Sequence, residues 1–148
     1  MADDRFYLKV AHALTGCQLV EQQLKLYISE ALELAKKCIG DKMPFNFAGD
    51  DYENSALETL IKTFKKLSNN AQLGTDLSAF KDQRNFLSHK AITHCLDPDM
   101  ELSLPERAEV EKRMLAIQDE ANRLWHAIHV EANSFRGHLY FDDESDAV

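Results

Sequence analysis

The stretch VAHALTGCQLVEQQLKLYISEALELA, residues Val10–Ala35, places Val10, Ala13, Cys17, Val20, Leu24, Ile28, Ala31 and Ala35 at steps of three and four. Side chains so spaced stack on one side of a 3.6-residue turn, so the stretch reads as one apolar face of a long helix. The pattern predicts a helix from about residue 4 to 39, with Gly40 as its stop because glycine alone enters a left-handed cap without strain. No segment of the chain alternates with the two-residue period of a strand. The fold class is therefore all-α.

Working outward, residues 41–53 combine Pro44 and Gly49 with aromatics and aspartates and read as a loop. Ser55 with Glu58 has the spacing of a capping box and opens a second helix carrying Leu57, Leu60, Ile61, Phe64 and Leu67. That helix fades at Ser68-Asn69-Asn70. Thr75 or Asp76 caps a third helix with Leu77, Phe80, Leu87 and Ala91 on one side. After a loop at Asp97-Pro98-Asp99, Ser103 with Glu106, and Pro105 in the first turn, announce a fourth helix. Val110, Met114, Ile117, Ala121, Leu124, Ile128 and Phe135 line its inner face, and Gly137 ends it. Two long and two shorter helices predict an antiparallel four-helix bundle, one domain over 1–137 with an acidic, poorly ordered tail over 138–148.

The charge balance narrows the function classes. Twenty-five acidic against 17 basic residues give a formal charge of −8, so the average surface repels nucleic acid and anionic membrane alike. Any phosphate must be gripped by a few placed cations. No apolar run approaches the roughly 20 residues of a membrane span. Cys17, Cys38 and Cys95 are odd in number and far apart, which fits a reducing cytoplasm and small core hydrophobes rather than a disulfide framework. A soluble, cytoplasmic protein is the expectation.

One polar group interrupts the otherwise plain third helix: Arg84-Asn85-Phe86-Leu87-Ser88-His89. At 100° per residue Ser88 lies about 40°, Asn85 about 100° and His89 about 140° around the axis from Arg84. Phe86 and Leu87 serve packing and the other four form a polar arc. A permanently charged, forked guanidinium beside an imidazole that exchanges protons near neutral pH suits a phosphate. Glu21, close to the apolar stripe of the first helix, has two readings: a partner for Arg84 across the bundle, or an ordinary i,i+4 surface pair with Lys25.

The motif resembles the HEPN superfamily, compact helical bundles with an Arg-x4-6-His signature on a late helix and a polar residue after the arginine. Arg84-Asn85-x3-His89 matches that form, and Gly16-x3-Val20-Glu21-x2-Leu24-Lys25 on the first helix is similar to the family as well. The resemblance implies a homodimer whose two motif helices face each other, and metal-independent endoribonuclease activity as a toxin or defence component. It implies Arg84 and His89 as the reacting pair, with Asn85 and Ser88 in support; Glu21 is a separate supporting candidate through the first of its two readings, a pairing with Arg84. A nucleotidyltransferase-like antitoxin is the partner it implies. Lys90-Ala91 stand where some toxin members carry a tyrosine two positions after the histidine, so control through that tyrosine is not carried over. The rival is a non-catalytic dimeric bundle that binds a partner protein or nucleotide through the same face.

Other constellations rank lower. His126, His129 and Glu131 lack the repeated Glu-x-x-His pairs of a di-iron bundle and read as solvated or interfacial groups, so neither metal nor cofactor is expected. Trp125, Phe135 and Tyr140 read as core or interface aromatics.

Overall fold

The structure, a computed structural model, describes residues 3–93 and 103–141. Among them are four helices and no strand: α1 (Asp3–Ile39), α2 (Leu57–Leu67), α3 (Ala71–Phe86) and α4 (Leu104–Phe141). α3 continues without a break as a π-helical turn over Leu87–Ile92. The expected loop at Asp97-Pro98-Asp99, Cys95 and residues 142–148 lie outside the described residues.

The stripe that decides the fold is the core of the molecule. Val10, Ala13, Cys17, Val20, Leu24, Ile28 and Ala31 are all buried, facing Leu60 and Phe64 of α2, Leu77 and Phe80 of α3, and Met114, Ile117, Leu124 and Ile128 of α4. Each large side chain so buried stabilises the fold by about 1.5–3 kcal/mol. α1 ends as expected: Gly40 has φ +58°, and its amide bonds the Lys36 carbonyl.

Side-chain pairs fix the directions of the helices. Lys9 meets Glu111 at 3.2 Å, Arg136 meets Glu30 at 3.1 Å and Lys37 donates to the His138 carbonyl at 3.0 Å, so numbers rise together and α1 and α4 run parallel. Arg123 with Asp76 at 2.9 Å and Arg113 with Gln83 at 3.2 Å run in opposite order, which makes α3 antiparallel to α4. α2 and α3 form a hairpin across Ser68–Asn70. The alternating directions expected of the bundle therefore fail at the first connection. Residues 40–56 do not turn the chain over but carry it back along α1, where the short 3₁₀ turn Gly49–Tyr52 packs at the level of Ser29.

That packing depends on Gly49 having no side chain. A Cβ there would lie 2.6 Å from Ser29 Cβ and 3.0 Å from its Cα, and the backbone atom cannot give way. Gly49→Ala is expected to push the loop off α1 and cost about 1–3 kcal/mol, read from the urea midpoint, with little effect on helical content.

Three further boundaries differ from expectation, as does the burial of Cys38. Ser55 does not cap α2: its amide closes the preceding turn onto Tyr52, and Ala56 takes the cap position without a side-chain bond. α3 starts at Ala71 rather than at Thr75 or Asp76, because Asn70 accepts from the Leu73 amide at 3.1 Å and Leu73 extends the buried stripe by a turn. α4 is opened by Ser103, which accepts from the Glu106 amide, but passes through Gly137 and ends at Phe141. Arg136 on Glu30 and Lys37 on the His138 carbonyl tie down the turn in which glycine costs about 1 kcal/mol against alanine. Cys38 is exposed rather than in the core, because it follows the last buried residue of the stripe.

Candidate functional site

α3 presents the motif because its inner face is fastened first. Leu87 and Ala91 are fully buried, and Phe86 packs at the core edge under the Arg113 guanidinium, 3.3 Å from the ring centroid. Arg113 also donates to Gln83 Oε1 at 3.2 Å, so one side chain of α4 grips α3 at two points. The motif helix is thus held on its core and α4 sides while the polar arc faces out.

Arg84 and Glu21 meet across the bundle, Nη2 to Oε1 at 3.4 Å. Of the two readings of Glu21 the structure takes the first. The carboxylate side chain is 19% exposed and the guanidinium side chain 40% exposed. One corner of the fork is steadied from the protein side while other N–H groups remain open to an incoming oxygen. Cys17 lies beneath the pair. Burial pushes its thiol up to about 11, opposed by Arg84 and reinforced by Glu21.

The π turn begins inside the motif. Arg84 and His89 are five residues apart, a spacing that an α-helix sets about 140° around its axis. A π turn bonds residue i to i+5 and advances less per residue, so from Leu87 onward it narrows that angle and swings His89 toward the arginine. Such turns are frequent at functional sites. Asn85 and His89, i and i+4, are exposed, and their polar side-chain atoms have no partner among the described residues. Ser88 is placed differently from the other three: its hydroxyl donates back to the Arg84 carbonyl at 3.3 Å, serving the helix at the point where the ladder widens.

Lys81 and Arg113 went unnoticed in the sequence. Lys81 falls one turn before Asn85 and two before Ser88 on the same arc, a position that helical geometry alone could have supplied. Arg113 is recognisable only once α4 is known to lie beside α3. His129, which reads as a solvated or interfacial group, stacks on Trp125 at 5.4 Å and its Nδ1 accepts from Arg136 Nη1 at 3.2 Å, while Glu131 accepts from Ser68 at 2.8 Å. Among the described residues no group of three or more His, Cys, Asp or Glu side chains is placed to hold a metal ion, and no helix is long and apolar enough to cross a membrane.

The Cys17 environment gives a pH test of this packing. Its thiol is raised from an ordinary 9.0 to about 11 and the Tyr27 hydroxyl from 10.0 to about 12, both chiefly by burial. The fold holds the protonated forms, so their contribution is complete below pH 9 and is lost as pH rises through 9 to 12. The Cys17 part is about 2–3 kcal/mol. The urea midpoint is expected to fall steeply between pH 9 and 11 in the parent and less steeply in Cys17→Ala.

In comparisons with family models, with characterised proteins and with solved structures, nothing matches the chain.

Proposed function

We propose that this chain is a metal-independent endoribonuclease of HEPN type that works as a homodimer in the cytoplasm, as a toxin or defence component with a nucleotidyltransferase-like antitoxin as partner. The observation that carries the reading is the juxtaposition at the surface of α3: Arg84, steadied by Glu21 yet 40% exposed, on the same arc as exposed Asn85 and His89, with a π turn between them. An acidic chain with one such local group fits a confined phosphate site better than a broad nucleic-acid surface.

The chemistry follows from the side chains. The RNA 2′-oxygen attacks the adjacent phosphorus as an imidazole nitrogen of His89 takes its proton. Negative charge grows on the non-bridging oxygens, where the open N–H groups of Arg84 bind it more strongly than they bind the ground state. The bond to the 5′-oxygen breaks, and that oxygen receives a proton from His89 of the second copy, leaving a 2′,3′-cyclic phosphate and a 5′-hydroxyl. Asn85 orients the imidazole or a phosphate oxygen.

The test is digestion of mixed RNAs in the presence of a chelator by the parent, His89→Ala and Arg84→Ala. The expected result is cyclic-phosphate ends from the parent and intact RNA from both variants. RNA left intact by the parent, or cut equally by all three, overturns the proposal; tight binding by the parent that Arg84→Ala abolishes, without cutting, assigns the face to the non-catalytic bundle instead.

A further inference from the structure

A second face of the molecule has the character of an interface and lies away from the motif. Leu8, Leu19 and Leu26 of α1 and Leu115 and Trp125 of α4 are between 37% and 56% exposed. On α1 the three leucines share an arc with His12, Thr15 and Gln22, and on α4 the arc runs through Gln118, Asn122 and His129. The two arcs look the same way, because a cleft of about 240 Å³ between the parallel helices is lined by His12, Thr15, Gly16, Leu19, Gln118 and Asn122. Gly16 brings the helices close there, with Ala121 Cβ 3.1 Å from where its own Cβ would stand.

None of these eleven positions is Asp, Glu, Lys or Arg, in a chain where such residues make up 28%. Depletion of charge around half-exposed leucines and a tryptophan is the composition of an interface centre. The face is bounded at its two ends by charges that are already paired, Lys9 with Glu111 and Glu30 with Arg136. Gln23, one turn from both Leu19 and Leu26, is buried with no hydrogen-bond partner for its side-chain nitrogen among the described residues.

We propose that the outer face of the α1–α4 pair is an isologous interface between two copies of this chain. At a formal charge of −8 two copies repel each other over most of their surfaces, and a charge-free strip is where they can approach. The same strip offers nothing to RNA, which needs cations, or to a strongly basic partner, which needs acids. With roughly 150–250 Å² per fully exposed large side chain, the five apolar residues present on the order of 450 Å². A stable interface takes about 800 Å² from each partner, and the polar residues of the two arcs extend the strip toward it. A two-fold axis through the cleft sets the leucines of each copy against the cleft of the other and runs the two helix pairs antiparallel. Glu21 lies about 200° around α1 from Leu19, so this contact leaves the Arg84–His89 face open and is separate from the contact that brings two motifs together.

The test is sedimentation equilibrium of the full chain from micromolar to hundreds of micromolar, on the parent, on Leu19→Arg with Leu115→Arg, and on Met43→Arg as a control off the face. The parent is expected to exceed 16.9 kDa, reaching twice that mass through this face alone and passing it where the motif contact forms as well. The double variant is expected to weaken this association by about 100-fold or more, because four arginines meet across the two-fold, with unchanged circular dichroism. The control is expected to match the parent. A parent that stays at the single-chain mass, or a folded double variant that associates as well as the parent, overturns the proposal. RNA cleavage in the same samples answers a separate question: its absence throughout defeats the ribonuclease reading and leaves the interface standing.

Discussion

Arg84→Ala is expected to lower RNA cleavage by about 10²–10³-fold with little change in RNA binding, the size of effect produced by removing one donor aimed at a transition-state oxyanion. Arg84→Lys keeps the charge but loses the fork, and is expected to recover only part of the rate. Glu21→Gln tests the positioning role: it removes the negative charge 3.4 Å from Arg84 Nη2 while keeping a hydrogen-bond acceptor, so a loss of about tenfold is expected, in turnover rather than in binding. Melting curves separate these effects from folding. Arg84→Ala leaves a half-buried carboxylate without its partner, at a cost of about 1 kcal/mol, and Glu21→Gln in the Arg84→Ala background is expected to return that stability without returning any activity. Equal cleavage by Arg84→Ala and the parent would remove the arginine from the mechanism.

The contrast between what could and could not be read from the chain follows the range of the forces involved. The Val10–Ala31 stripe, the stop at Gly40 and the Ser103 cap were legible because periodicity and capping act over a few residues. The start of α3 was missed because Asn70 competes with Thr75 and Asp76 as a cap, and burial of Leu73 decides between them. The parallel course of α1 and α4 has no local signature: it depends on the loop over 40–56 packing Gly49 back onto Ser29, a contact between segments far apart in the chain that no local pattern contains. At the site, the arc of Arg84, Asn85 and His89 was visible, and Glu21 stood as one of two equal readings until the fold placed it beside Arg84. The π turn and the grip of Arg113 on Phe86 were not visible, since both are set by how α3 lies on α4.

Leu87→Ala is expected to be the most damaging single change within the motif, although it touches no polar group. Leu87 is completely buried and begins the π turn, so truncation leaves a cavity at the junction between the α-helical and π-helical parts of α3. The loss for a buried leucine is about 2–5 kcal/mol, and at about 2–4 °C per kcal/mol for a chain of this size a central value lowers the melting temperature by roughly 6–12 °C. Asn85→Ala, two residues before it on the exposed side of the helix, is expected to stay within about 0.5 kcal/mol of the parent. Leu87→Met conserves volume and is expected to cost less than about 1.5 kcal/mol. Because the same residue fixes where the wider turn starts, Leu87→Ala is also expected to lower cleavage at temperatures where the variant is still folded, whereas a cavity of equal cost at Leu24, also completely buried but on α1, is expected to lower stability alone. Equal activity losses in the two folded variants would mean that the π turn does not set the position of His89.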